Sequence, residues 1–256
     1  MSDFQDEVKA RIATYPLNKA LTSAAEMFMF HSTQPKYSYN FSWQGRPIIQ
    51  YPQDIVAMQE IIWKVKPDLI IETGIAHGGS LVFSASMLAL LDMVEAINTD
   101  TPFNPKTSSR KVLGIDIDIR EHNQKAILDH PMSSRIEMIS GSSIDPDIIN
   151  QVKNYALLYS KILICLDSNH THEHVLKELE AYAPLTSIDS YCVVFDTIVE
   201  YLPANTYPDR AWGPGNNPQS AINEYLLTHS EFLIDKEISN KLLISVAPNG
   251  YLKRIC

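Results

Sequence analysis

From Asp68 onward, short apolar runs alternate with segments of helical periodicity. LIIE (69–72), KVLGIDI (111–117), RIEMISG (135–141), KILICLD (161–167) and SYCVVFD (190–196) are continuous apolar runs bounded by polar residues, the pattern of strands buried on both faces. Between them, 80–94, 120–130, 146–157 and 172–184 have helical composition or spacing. This rhythm predicts βαβ units: an α/β fold with a mainly parallel sheet, helices on both faces and right-handed crossovers. A further helix is expected at 219–229. Strand-like pieces around FLIDKE and YLKRI are expected to close the sheet as an antiparallel hairpin.

Residues 1–50 break the rhythm. Phe4 to Tyr15 and Leu17 to Phe30 read as helices, followed by an aromatic, turn-rich stretch. This segment is too short for a core of its own and is expected to be a helical and irregular cap on residues 51–256. A helix follows from Asp54 and stops before Pro67. Two other stretches are long and polar: 97–110, and 200–219, which is rich in Pro, Gly and Asn. A loop of the second kind after the fifth strand is a lid or binding loop if it is functional, and a surface insertion otherwise.

Composition narrows the class. The chain has 256 residues, 45% hydrophobic and 20% charged, as expected of a globular domain large enough to need no disulfide or structural metal. Its formal net charge is −9 with no Lys/Arg block, which argues against a nucleic-acid partner. Cys165 and Cys192 lie in apolar runs and read as small buried hydrophobes, consistent with a reducing compartment. No stretch of about 18 uninterrupted apolar residues predicts a membrane span, and MSDFQDEVKAR lacks a signal-peptide pattern. The expected location is cytoplasmic.

In open parallel sheets, ligands bind beyond the carboxyl ends of the strands. Here those ends carry Glu72, Asp116, Gly141, Asp167 and Asp196, four of them acidic. After Glu72 comes TGIAHGGS, in which Gly74 allows a sharp exit and Gly78 and Gly79 permit close approach to the start of the next helix. A dinucleotide loop usually reads G-x-G-x-x-G, whereas this one reads G-x-x-x-G-G directly after a carboxylate. A carboxylate there would repel a pyrophosphate and suit a cationic cofactor. S-adenosylmethionine, with a sulfonium, an amino-acid end and no phosphate, fits this charge better than NAD.

Asp116, with Asp118 as the alternate, is placed to bind ribose hydroxyls. It lies 42 residues beyond Gly74, about twice the usual gap, and the 97–110 insertion accounts for the excess. Gly141, Ser142 and Ser143 are positioned to line an adenine pocket, or to form an ordinary turn. Asp167 and Asp196 offer oxygen ligands for a hard cation such as Mg²⁺. His170, His172 and His174 do not share a helical face, which argues against a zinc site. His170, in the loop, is the candidate general base.

ETGIAHGGS, GIDIDIR, LDSNHTHEHVLKEL and WGPGNNP together resemble the cephalosporin hydroxylase / rhamnosyl O-methyltransferase family over about residues 37–255. The resemblance implies a Rossmann-like class I S-adenosylmethionine-dependent methyltransferase over 51–256, with a seven-stranded sheet whose last strand is antiparallel. It implies cofactor binding by Glu72, Gly74, Gly78, Ser80 and Asp116, and a metal on Asp167 and Asp196. It also implies polysaccharide or secondary-metabolite biosynthesis and a tendency to homo-oligomerise. The chain departs from the family's metal pattern twice: Phe195 and Asn169 stand where metal-binding relatives carry acids.

The expected reaction is methyl transfer to a hydroxyl, chiefly of a saccharide or small-molecule acceptor. A Mg²⁺ on Asp167 and Asp196 would assist, and His170 would take the proton. The aromatic cap (Tyr37, Tyr39, Phe41, Trp43) and the 200–219 loop are expected to cover the acceptor, or the cap aromatics simply pack on the sheet. The alternatives are an NAD-dependent oxidoreductase, which Glu72 and the glycine spacing oppose, and a non-catalytic pathway scaffold, which Phe195 and Asn169 favour.

Overall fold

A computed structural model describes residues 2–256. Seven strands form one sheet: β3 (Leu69–Thr73), β4 (Lys111–Asp116), β5 (Ile136–Ser140), β6 (Ile162–Leu166), β7 (Tyr191–Val194), β8 (Phe232–Ile234) and β9 (Tyr251–Arg254). Their order is β5-β4-β3-β6-β7-β9-β8. The first five are parallel, and β9 runs antiparallel to both β7 and β8. The expected mixed sheet with an antiparallel last strand is therefore present. One correction concerns FLIDKE: only Phe232–Ile234 is strand. Asp235 then accepts the Glu237 and Ile238 amides and caps helix α9 (Lys236–Leu242), so the closing hairpin carries a helix in its connection.

The remaining helices are α1 (Ser2–Thr14), α2 (Lys19–Thr33), α3 (Pro52–Val65), α4 (Gly79–Thr99), α5 (Glu121–Leu128), α6 (Pro146–Ala156), α7 (His172–Tyr182) and α8 (Pro218–Tyr225). Two apolar clusters form, one on each face of the sheet. One joins α3 and α4 to Ile70, Val112, Leu163 and Val193; the other joins α6, α7 and α8 to Ile71, Leu113, Ile164 and Val194. Alternation along each strand sends neighbouring residues to opposite clusters. By length and composition α4 could cross a membrane, but Leu81, Val82, Ala85 and Leu88 are packed in the first cluster, and it is the core helix of that face.

The cap is less irregular than its sequence suggests. Phe41–Trp43 (β1) and Arg46–Ile48 (β2) form a hairpin around Gln44 and Gly45, both with positive φ. Met29, Ile48 and Tyr51 belong to the same cluster as α3 and α4, so the cap shares the domain's core. At the other end of the sheet the 97–110 insertion is held by Asp92, which pairs with Arg110 and buried Arg135.

Asp54 ties the start of α3 to the C-terminal segment. It is fully buried and accepts from Ser245 Oγ (2.5 Å), the Val246 amide (2.9 Å) and Tyr251 Oη (2.9 Å). Burial pushes its carboxyl up to about 6, against the pull of those three donors. Asp54→Ala strands all three and is expected to cost about 3–5 kcal/mol in chemical denaturation.

Candidate active site

Strand register brings the predicted carboxylates together. Thr73 is level with Ile115 on β4 and Leu166 on β6, and Leu166 is level with Val194 on β7. The residues that follow, Gly74, Asp116, Asp167 and Phe195, therefore leave the sheet at one edge, with Asp196 next. Asp196 has φ +56, a left-handed conformation that Asp tolerates better than most residues, and it starts a 3-10 turn.

Glu72, the fourth residue of β3, is 4% exposed and accepts a hydrogen bond from Ser80 Oγ on the first turn of α4. Burial raises its carboxyl to about 7, although the Ser80 bond opposes this. It lies beside a cleft also lined by Gln50, Asp54, Asp167 and Phe195. A cation reaching Glu72 would discharge a carboxylate that has no counter-charge of its own.

The glycine loop is held by the protein itself. Gly74 has φ +89, and a Cβ there would stand 2.0 Å from the Asp167 carbonyl oxygen. Gly78 caps α4 in the left-handed region, and a Cβ on Gly79 would meet the Pro47 carbonyl oxygen at 2.1 Å. The glycines thus permit close packing of β6 and the cap hairpin against the loop, a role that the reading in terms of ligand approach missed. Asp116 Oδ2 accepts the Ile75 and Ala76 amides (2.8 and 3.3 Å), and Oδ1 accepts the Asp118 amide (3.0 Å). Two amides of the glycine loop are thus already bonded to a carboxylate. Asp118 is exposed and pairs loosely with Arg120.

The three histidines part company. His172 Nδ1 lies 2.8 Å from Ser220 Oγ and its Nε2 3.0 Å from Glu224, so it bridges α7 to α8. His174 Nε2 lies 3.0 Å from Ser143 Oγ and 3.2 Å from Ser168 Oγ. Ser143 is buried, and its carbonyl also accepts the Tyr182 hydroxyl. Only His170 reaches the strand-end acids, with Nε2 3.2 Å from Asp196 Oδ2.

Asp167, His170 and Asp196 each place one donor atom within 4.8 Å of the other two. The Asp167 carboxyl is pushed well above the usual range, first by burial and then by Asp196, Glu72 and Glu178. Two carboxylate oxygens and an imidazole nitrogen in a pocket of excess negative charge fit a divalent cation. Asn169 adds nothing here: its Oδ1 accepts from the Thr171 amide and hydroxyl in the turn before α7. Phe195 is buried beside Glu72 and Asp167.

The chain matches the family model "Rhamnosyl O-methyltransferase/CmcI" over residues 35–255. It belongs to that family. The rhamnosyl O-methyltransferase of Mycobacterium tuberculosis (strain ATCC 25618 / H37Rv) is 32% identical over 206 residues, covering 78% of this chain and 73% of the relative. That of Mycobacterium leprae (strain TN) is 29% identical over 218 residues, covering 83% and 82%. Among solved structures, CmcI with Mg and S-adenosylmethionine aligns over 85% of this chain and 78% of its own, at 17% identity and a TM-score of 0.56. CmcI with S-adenosylhomocysteine aligns over 84% and 83%, at 18% identity and a TM-score of 0.53. At these identities the structural likeness establishes the fold, a class I methyltransferase fold.

In this family member Trp43 and Tyr37 take the packing alternative. Trp43 donates to Ser86 Oγ (2.9 Å) and packs edge-on to Phe83. Tyr37 packs on Phe28, Phe41 and Tyr51. Tyr39 is exposed beside Lys36. Trp43 packs because the short hairpin buries one face against α4, whereas Tyr39, ahead of the hairpin, stays exposed. Two other groups, missed in the sequence, reach the site. Gln50, 7% exposed, donates from Nε2 to Asp167 Oδ2 at 3.4 Å and leaves Oε1 unpartnered. Trp212, the first residue of WGPGNNP, packs edge-to-face on His170. The motif was a signal for this segment, but only the fold shows which ring it meets.

Proposed function

We propose that this chain transfers the methyl group of S-adenosylmethionine to a hydroxyl of a sugar. The observation that carries this reading is the juxtaposition of buried Glu72, at the glycine loop, with Asp167, His170 and Asp196 at the neighbouring strand ends. Glu72 takes the cofactor's ammonium end, and Ser80 holds the carboxylate in place. Three of about four lone-pair sites of Asp116 are already engaged, so it binds one ribose hydroxyl rather than two. The backbone and hydroxyl groups around Ser143 border the adenine.

Asp196 only accepts hydrogen bonds, so His170 Nε2 carries the hydrogen towards it and Nδ1 keeps a lone pair. The imidazole takes the acceptor's hydroxyl proton as the oxygen attacks the sulfonium methyl in line. Asp167 and Asp196 would hold a divalent cation, which would supply Lewis-acid polarisation of the acceptor oxygen when bound. The acceptor class follows the rhamnosyl O-methyltransferases to which the chain is similar.

Calorimetry with S-adenosylhomocysteine tests the cofactor half. One molecule is expected to bind per chain, and no heat at millimolar ligand would overturn the assignment.

A further inference from the structure

We infer that Trp212 and Tyr207 form a pre-formed platform for the acceptor's sugar ring. The inference rests on the methyl-transfer reading above and adds the acceptor-binding residues to it.

Trp212 and His170 meet with ring centroids 5.3 Å apart at 78°, and Tyr207 and Trp212 at 4.6 Å and 63°. Both aromatic residues are half-buried. The Tyr207 hydroxyl is pushed up to about 12 by burial, then by Asp196, Tyr39 and Tyr51, against a hydrogen bond with Thr33 on α2. An otherwise polar Pro/Gly/Asn segment thus brings Trp212 to the base, with Tyr207 and the Arg210 guanidinium (5.9 Å from the Trp212 centroid) set around its ring. A sugar ring presents a C–H face with positive partial charge, which matches the negative face of an aromatic ring. Its hydroxyls remain free for His170 and the acids.

The segment is strapped down rather than free to swing. Glu200 accepts the Gly215 amide (2.8 Å) and Asn217 Nδ2 (2.5 Å), and Asn217 Nδ2 also reaches the Gly213 carbonyl (2.8 Å). Gly213 and Asn216 exchange backbone bonds, and Asn216 Oδ1 accepts the His172 amide (2.9 Å). These ties lie immediately after Trp212 and anchor the backbone next to it. The platform is pre-formed, so the acceptor does not bear the cost of ordering it.

Intrinsic fluorescence with methyl α-L-rhamnopyranoside, on protein saturated with S-adenosylhomocysteine, tests the platform. The chain has three tryptophans; Trp43 is packed against Phe83, and Trp63 is exposed on the outer side of α3 beside Lys66. The rhamnoside is expected to change wild-type emission, and Trp212→Phe to abolish that change while still binding S-adenosylhomocysteine. In methyl transfer, Trp212→Ala is expected to raise the KM for the rhamnoside roughly tenfold. The KM for S-adenosylmethionine should stay within about twofold, and Trp212→Phe should recover most of the loss. An unchanged rhamnoside KM in Trp212→Ala, or a wild-type emission blind to the rhamnoside with S-adenosylhomocysteine bound, overturns the platform. Failure of the wild type to bind S-adenosylhomocysteine would instead overturn the reading on which it rests.

Discussion

His170→Ala is expected to lower kcat for sugar methylation by about 10²–10⁴-fold while leaving S-adenosylhomocysteine affinity unchanged. The imidazole is the only one of the three neighbouring histidines that meets the strand-end acids, with Nε2 3.2 Å from Asp196. Its removal takes away the proton acceptor and nothing from the Glu72 end of the cleft, so chemistry and cofactor binding should separate cleanly. The measurement is single-turnover methyl transfer read by mass spectrometry, alongside calorimetry with S-adenosylhomocysteine. His172→Ala is the matched control, because that ring bridges Ser220 and Glu224 away from the acids. If His170→Ala keeps activity within a few-fold of wild type, the base assignment is wrong.

Glu72→Gln is expected to stabilise the cofactor-free protein at pH 8 and to weaken cofactor binding. Burial holds the Glu72 carboxyl at about 7 in the folded chain, against an ordinary value of 4.5. Between those two values the folded state binds more protons than the unfolded one. The stability this group contributes is therefore fully present below about pH 4.5 and is lost as pH rises through about 7. The loss is on the order of 3 kcal/mol, and an amide, which cannot ionise, avoids it while still accepting the Ser80 hydroxyl. Thermal melts should rise by several degrees at pH 8, with the gap closing as pH falls towards 4.5. Losing a charge-assisted contact to the cofactor's ammonium should cost about 10–100-fold in affinity. For the wild type, the same logic makes affinity fall as pH drops below about 7, because the cofactor must then displace a proton. A Glu72→Gln protein less stable than wild type at pH 8 would overturn the account.

The sheet was legible because buried parallel strands write themselves as unbroken apolar runs, and Ile70, Val112, Leu163 and Val193 fall where such runs lie. The strand-end carboxylates were legible for the same reason: once register is set, the residue after each run must lie at the ligand edge. Two kinds of feature were not. Short elements carry too few residues for a period, so the three-residue strands β1 and β2 read as irregular chain. The Asp235 cap of α9 was hidden inside an apparently strand-like FLIDKE. Contacts between loops depend on the whole fold. Sequence gave no reason to bring Gln50 to Asp167 or Trp212 to His170, and it left Trp43 open between an acceptor contact and the packing on Phe83 that the fold shows.

The position of β9 bears on the order in which the molecule is made. Tyr251–Arg254 emerges from the ribosome after every other strand, yet it lies between β7 and β8. Until it arrives, β7, which leads to Asp196, has a partner on one side only, and Asp54 lacks the Tyr251 hydroxyl. The glycine-loop half of the cleft, on β3, β4 and β6, needs none of this. A nascent chain can therefore pair β3, β4 and β6 while still being synthesised, but β7 gains its second neighbour only once residues 251–254 have emerged.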